Sequence, residues 1–345
     1  MSDQPAAPPD AALAGAAELP RFVQIEPVGQ CNLRCRMCPI QFRNDGTPGQ
    51  PPAFMDFAVF TRLIDQFARL TELHLQGMGE PLMHPRFFDM VRYAAARGIE
   101  VSTNSNLTIL SERRARECVE SGLHRIHVSL DGASARTYEY IRVRARFAQV
   151  LRNIGRLAHA RSAAGSTLPE ICMVAVAMRA NLHELPDLVR LARELHVDRL
   201  SVQHLCHDFG ESSLPEKYRP MRAFVDSETL LNEDAARVEH YFAAARKLAV
   251  ALGVELRLPN LHPVAQRRAG TRCDWPRRGS YLSFAGDAMP CCMVATPDRI
   301  NFGNMASAGV AQVWNNADYR QFRAQLESDT PPEICRNCAL YNGTF

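Results

Sequence analysis

The sequence predicts an α/β fold, a partial (β/α)6 barrel followed by a small C-terminal domain that carries clustered cysteines. Three observations predict it. From Arg21 onward, six short β-branched or apolar runs alternate with longer runs whose apolar residues recur at spacings of three and four, the pattern of a parallel sheet covered by helices. Six units are too few to close an eight-stranded barrel, so an open or partial barrel follows, with a lateral mouth suited to a large substrate. Beyond Leu261 the alternation gives way to a short hairpin, one helix and a terminal CxxC.

In chain order, residues 1–20 are rich in Ala and Pro and lack both an initial positive cluster and a continuous apolar segment, which predicts a disordered tail. The predicted strands are Phe22 to Glu26, Glu72 to Gln76, Ile99 to Asn104, Arg125 to Leu130, Ile171 to Met178 and Arg199 to Leu205. Amphipathic helical patterns lie between them, DFAVFTRLIDQFARL, PRFFDMVRYAAARG and LHELPDLVRLAREL among them. Residues 206–232 lack clear periodicity, and a helix from about Glu233 to Leu252 is expected to lead away from the barrel. The hairpin reads YLSF-AGD-AMPC, and the last helix spans about Asp318 to Leu326. The expected division is a tail over 1–20, the barrel over 21–232, a linking helix and strand over 233–262, and the cysteine-bearing domain over 263–345.

Composition narrows the function. Of 345 residues, 46% are hydrophobic and 22% charged, a globular balance that supports folded cores. The net charge of +3 is nearly neutral, and the one local basic group, Arg142, Arg144 and Arg146, is too small for a nucleic-acid footprint. It reads as a solvated or ligand-facing patch. The most apolar run, ICMVAVAM from Ile171, has strand length, well short of the roughly 20 residues that span a bilayer, so a soluble, cytoplasmic protein without membrane partners is expected. In a reducing compartment, eleven cysteines are better explained by metal ligation than by disulfides.

Three of those cysteines stand close together in CNLRCRMCP, at Cys31, Cys35 and Cys38, directly after the first strand. A cubane iron–sulfur cluster has four iron corners, so three thiolates leave one iron open to a ligand. The spacing resembles the signature of the radical S-adenosylmethionine superfamily, which implies a [4Fe-4S] cluster whose open iron is chelated by the amino and carboxylate groups of S-adenosylmethionine. The family usually has an aromatic residue before the third cysteine, where this chain has Met37. The residues alone also allow a zinc site completed by a distant His74 or His84, or three core cysteines.

The rest of the barrel extends the resemblance. GMGEP, Gly77 to Pro81, is similar to the family's Gly-Gly-Glu-Pro motif with Met78 replacing a glycine, which implies that Gly77, Met78, Gly79 and Glu80 meet the methionine amine. STNS follows the third strand, SLDG the fourth, and Met178 closes the fifth. In similar proteins these places hold the ribose hydroxyls, the methionine carboxylate and the adenine edge, which points to Asn104, Ser129 and the backbone near Met178. Arg142 is a further candidate for the carboxylate. All fall on the C-terminal face, where (β/α) barrels build active sites. On the residues alone, Asn104 and Ser129 also read as strand-end turn positions.

At the C-terminus, Cys273, Cys291 and the pair Cys335 and Cys338 resemble the SPASM domain in its truncated twitch form, similar in ligand pattern to 2-deoxy-scyllo-inosamine dehydrogenase. The resemblance implies an auxiliary [4Fe-4S] cluster closed by four thiolates; spacing alone also fits a zinc ribbon. Cys292 is spare, as a substitute ligand, an inert neighbour or a hydrogen-atom donor. His204, His207 and Asp208 follow strand six and are candidates to face substrate. Cys118, Cys172 and Cys206 read as buried apolar residues, and the NxT matches at Asn106 and Asn342 carry no meaning without a secretory signal.

The resemblance implies a radical S-adenosylmethionine oxidoreductase that makes a 5′-deoxyadenosyl radical, abstracts a substrate hydrogen atom, and completes a two-electron oxidation through the auxiliary cluster. A one-electron donor such as flavodoxin or ferredoxin is then a partner. The lack of a recognisable leader-peptide-binding region before Arg21 favours a small sugar- or aminocyclitol-like substrate. The alternatives are a peptide-modifying enzyme, an epimerase with Cys292 as hydrogen donor, and outside catalysis an iron–sulfur electron carrier or a zinc-stabilised binding protein.

Overall fold

The computed structural model describes residues 18–43, 53–205, 210–262, 273–294 and 296–344. Six strands appear where the alternation predicts them, to within two residues: β1 (Phe22–Ile25), β2 (Glu72–Leu75), β3 (Glu100–Ser105), β4 (Leu123–Ser129), β5 (Glu170–Ala177) and β6 (Arg199–His204). All pair in parallel with their sequence neighbours, as crossover helices require. Those helices are α1 (Phe57–Gln66), α2 (Phe87–Ala95), α3 (Glu112–Glu120), α4 (Ala135–Ile141), α5 (Phe147–Ala163) and α6 (Leu185–Glu194). Asp56 caps α1 by accepting from the Ala58 and Val59 N–H groups at 2.8 and 3.1 Å, and Ser111 and Ser134 cap α3 and α4 in the same way.

The two faces of the sheet differ. Leu73, Leu75, Val101, Ile126 and Val128 are fully buried against the helices. The opposite parity carries Gln24, His74, Ser102, Asn104, His127 and Ser129, so the inside of the barrel is polar. Inside, His74 Nδ1 lies 2.8 Å from Ser102 Oγ and its ring centroid 6.0 Å from that of His127. Burial lowers His74 to about 3 and His127 to about 4, so both imidazoles are neutral.

Three features depart from expectation. Within 206–232, where no periodicity is evident, a helix α7 (Arg219–Glu228) forms; its buried side is only Met221 and Val225, one short turn of signal. The next helix, α8 (Ala235–Leu252), ends at Gly253 in the left-handed conformation (φ 66°) and does not leave the barrel. It delivers β7 (Leu256–Arg257) to the edge of β6, again in parallel. On the other side, β8 (Gly279–Leu282) pairs in parallel with β1, and β9 (Ala288–Met289) returns antiparallel to it. The expected hairpin is therefore continuous with the barrel, in one nine-stranded sheet of order β7-β6-β5-β4-β3-β2-β1-β8-β9. The close approach of β8 depends on Gly279, where an added Cβ would lie 2.5 Å from the Phe22 ring.

A longer helix, α9 (Ala317–Glu327), covers this extension, stacking Tyr319 on Phe302 at 4.2 Å. The segment after residue 209 straps the C-terminal region to the barrel. Glu211 makes a 2.6 Å ion pair with Arg299, both almost wholly buried, and Ser212 bonds Glu333 through its N–H (2.9 Å) and Oγ (2.8 Å). No helix among the described residues is long and apolar enough to cross a membrane.

Candidate metal and cofactor site

The loop after β1 is held by backbone pairing with the segment after α4, through Arg34 N–H to Val143 O (3.1 Å) and Arg36 N–H to Ile141 O (3.0 Å). Within it, Cys38 N–H donates to Cys35 O at 3.0 Å, and the Leu33 N–H points at Cys31 Sγ at 3.4 Å. These bonds turn Cys31, Cys35 and Cys38 toward one cavity, whose lining all three join. Burial, then the neighbouring Cys35, pushes Cys38 up to about 12, and burial likewise raises Cys31 and Cys35. Such thiols become thiolates together only when a cation shares them, as in metal binding with proton release. The donor set therefore fits an iron–sulfur cluster. A second observation agrees: the buried hydroxyl of Tyr138, on whose phenol Arg142, Asp131, Cys35 and Glu80 act, has no hydrogen-bond partner among the described residues.

The zinc alternatives lose their fourth ligand. His84 donates from Nε2 to Met55 O (2.9 Å) and accepts the Arg86 N–H at Nδ1 (3.0 Å), and His74 is engaged with Ser102 inside the barrel.

The cavity has a volume of about 190 Å³. Gly77, Met78, Gly79, Glu80, Asn104, Ser129, Arg142 and His204 all line it, so the strand-end candidates converge as their shared rim predicts. The GMGEP turn is packed against the segment that follows β1. A Cβ on Gly79 would lie 1.9 Å from Val28 O and 2.5 Å from Gln30 O, and one on Gly77 would collide with the Glu26 side chain. Glu26 in turn accepts the Met78 N–H (2.8 Å) and forms a fully buried pair with Arg43 at 2.9 Å. Glu80 braces two strand ends, accepting from Leu82 N–H (3.1 Å), Ser105 Oγ–H (2.7 Å) and Asn106 N–H (2.8 Å). Arg142 turns inward, its Nε donating to Asp131 Oδ2 at 2.6 Å and its Nη1 lying 3.9 Å from Cys35 Sγ. Arg144 and Arg146 are exposed, so the basic trio divides between a cavity residue and two surface ones.

Met178 itself lies outside the lining, its N–H donating to Asn181 Oδ1 (2.8 Å) and its carbonyl accepting the Asn181 and Leu182 N–H groups, while Val176, two residues before it, lines the cavity. His204 does line it, yet is fully buried and donates from Nε2 to Asn260 O at 2.9 Å. His207 and Asp208 lie outside the described residues.

Sequence reasoning missed Asp131, Asn106, Gln76 and Gln203. Asn106, set aside as an NxT match, donates from Nδ2 toward Cys31 Sγ (3.8 Å) and to Asn32 Oδ1 (3.1 Å), and its Oδ1 accepts the Thr108 N–H and hydroxyl. The available signal was position, since Asn106 follows STNS and Asp131 belongs to SLDG.

A second thiol group forms around the β8–β9 extension. Burial, then Cys292, Cys338 and Cys273, raises the Cys291 thiol well above its ordinary value. Cys338 N–H donates to Cys335 O at 3.2 Å, the turn already seen at Cys35 and Cys38. Cys292 belongs with this group and is not part of the cavity lining. Cys118 and Cys172 are buried as expected, whereas Cys206 lies outside the described residues.

Two families match the chain, the radical SAM superfamily over residues 25–192 and SPASM, an iron–sulfur cluster-binding domain, over 273–339. The tungsten-containing aldehyde ferredoxin oxidoreductase cofactor-modifying protein of Pyrococcus furiosus is 25% identical over 338 residues, covering 93% of this chain and 87% of that protein. The PqqA peptide cyclase of Rhodopseudomonas palustris is 25% identical over 328 residues, covering 93% and 80%. Among solved structures, Streptococcus suis SuiB bound to precursor peptide SuiA superposes with a TM-score of 0.68 at 15% identity, covering 96% of this chain and 73% of that one, a likeness of fold.

Proposed function

The chain belongs to the radical S-adenosylmethionine superfamily and carries a SPASM iron–sulfur domain, and from that premise we propose that it carries out a two-electron oxidation of a peptide. The observation that carries the reading is the single cavity shared by Cys31, Cys35, Cys38 and the ends of β2 to β6. When bound, the clusters and S-adenosylmethionine supply a 5′-deoxyadenosyl radical and an electron acceptor.

The chain's own residues position and shield. Cys31, Cys35 and Cys38 hold the first cluster, and Cys273, Cys291, Cys335 and Cys338 the auxiliary one, for about eight iron per chain. Backbone carbonyls of Gly77 to Gly79 and the braced Glu80 receive an ammonium group. Arg142, locked by Asp131, faces a carboxylate. Asn104 and Ser129 offer polar contacts to ribose and methionine, and the backbone from Val176 toward Met178 meets the adenine edge. His204 shapes the mouth through its bond to Asn260. The division proposed here is a barrel near 21–232, a linking segment near 233–262 and a cysteine-bearing part near 263–345, each of which contributes strands to one sheet.

Peptide is favoured because a 25% identical relative is a peptide cyclase; among the described residues β7 and β9 are the two edges of the sheet. The relatives do not support the small sugar-like substrate expected from the sequence. The epimerase alternative weakens because Cys292 is not in the cavity lining. The test is anaerobic turnover with peptides encoded by short reading frames beside the gene, compared with an aminocyclitol. A two-hydrogen mass loss on a peptide, matched by 5′-deoxyadenosine, supports the proposal; oxidation of the aminocyclitol alone contradicts it.

A further inference from the structure

One buried side chain lies between the two thiol groups. Tyr281 is fully buried on β8, in register with Gln24 of β1. It clusters with Trp275 and Met289, and Cys273, Cys291 and Cys292 pack against that cluster. Its hydroxyl is buried and has no hydrogen-bond partner among the described residues. The charged and titratable groups acting on the phenol are Glu26, Arg43, Cys292 and Cys38, which come from both sides.

A buried hydroxyl without a partner has lost its bonds to water with nothing in return, and folded proteins rarely leave one so. The candidate acceptors can be taken in turn. Both Glu26 oxygens are already filled, Oε1 by Arg43 Nη1 (2.9 Å) and the Met78 N–H (2.8 Å), and Oε2 by Arg43 Nη1 (3.2 Å) and Nη2 (3.1 Å). Arg43 only donates. Sulfur remains, a weak acceptor as a thiol and a stronger one as a thiolate or as metal-bound sulfur.

We propose that Tyr281 is a positioning residue between the two metal sites, its hydroxyl donating a hydrogen bond to sulfur of the auxiliary site and raising the reduction potential there. The inference rests on the reading of the C-terminal cysteines as ligands of an auxiliary cluster, and adds a residue that sets how well that cluster accepts an electron. The auxiliary side is chosen because Cys273, Cys291 and Cys292 pack against the aromatic cluster that holds Tyr281, whereas Cys38 does not. A hydrogen bond to cluster sulfur favours the reduced, more negative form.

The test is an EPR-monitored redox titration of the anaerobically reconstituted full chain, comparing the parent with Tyr281→Phe and Tyr138→Phe. Tyr281→Phe is expected to move the auxiliary potential to more negative values at unchanged iron content, and Tyr138→Phe to leave it in place. An auxiliary potential that is the same in Tyr281→Phe and the parent overturns the proposal. Should Tyr281→Phe lose iron, 3-fluorotyrosine at position 281 keeps the packing and donates more strongly. A shift to more positive potential then supports the proposal, and no shift overturns it. Failure of the underlying reading is distinguishable, because the parent itself would lack a second cluster signal.

Discussion

Gly79 shows how one residue ties the site to the chain around it. An added Cβ would fall 1.9 Å from Val28 O, a backbone atom that cannot step aside, and would break the 2.8 Å bond from Glu80 N–H to Gln30 O that sets the turn. Gly79→Ala is therefore expected to destabilise by about 3 kcal/mol and to lower S-adenosylmethionine affinity, whereas Gly155→Ala, with open space around the Cβ, should leave affinity unchanged. Urea unfolding and equilibrium binding check both. At this scale, residues whose chemistry is declared by spacing were legible: Cys31, Cys35, Cys38 and the GMGEP turn needed only the order of letters. Asp131, Asn106 and Tyr281 were not, because an Asp behind an Arg eleven residues on, or a Tyr beside thiols of two loops, exists only once the sheet has formed.

Between elements, the polar inner face of β2, β3 and β4 makes a prediction about acid. His74 and His127 are neutral when folded, with values of about 3 and 4 against an ordinary 6.5, so below pH 6.5 the unfolded chain binds more protons than the folded one. Stability then falls as pH drops from 6.5, and it continues to fall until the folded imidazoles themselves protonate. The groups acting on this pair are Ser102, Arg125, Glu170 and Arg199. Between pH 7.5 and 5, His74→Gln is expected to lose about 2 kcal/mol less than the parent, measured by chemical unfolding of the reconstituted protein. An equal loss in both would show that His74 does not carry this dependence. The strands themselves were legible because their apolar and polar positions alternate over four to eight residues. The joins of β7 to β6 and β8 to β1 were not, since the two residues of β7 have no period and the pairing of β8 is decided by its partner.

For the whole molecule, one sheet carries both thiol groups, so the auxiliary site is built onto the β1 edge of the barrel. If the auxiliary site takes the second electron, Cys335→Ala with Cys338→Ala should keep reductive cleavage of S-adenosylmethionine while the oxidised peptide disappears. Full product yield in that variant, at parental occupancy of the first cluster, would remove the electron-acceptor role. The substrate class is the feature that the sequence leaves most open, because one fold hosts many substrates and no motif names this one. The account depends most on the three cysteines that leave one iron open. The measurement that reaches it directly is 5′-deoxyadenosine formation by the reconstituted chain with a chemical reductant, in the parent and in Cys31→Ala/Cys35→Ala/Cys38→Ala. The account predicts product from the parent and none above background from the variant, which should still hold about four iron at the auxiliary site. Equal 5′-deoxyadenosine from both would contradict it.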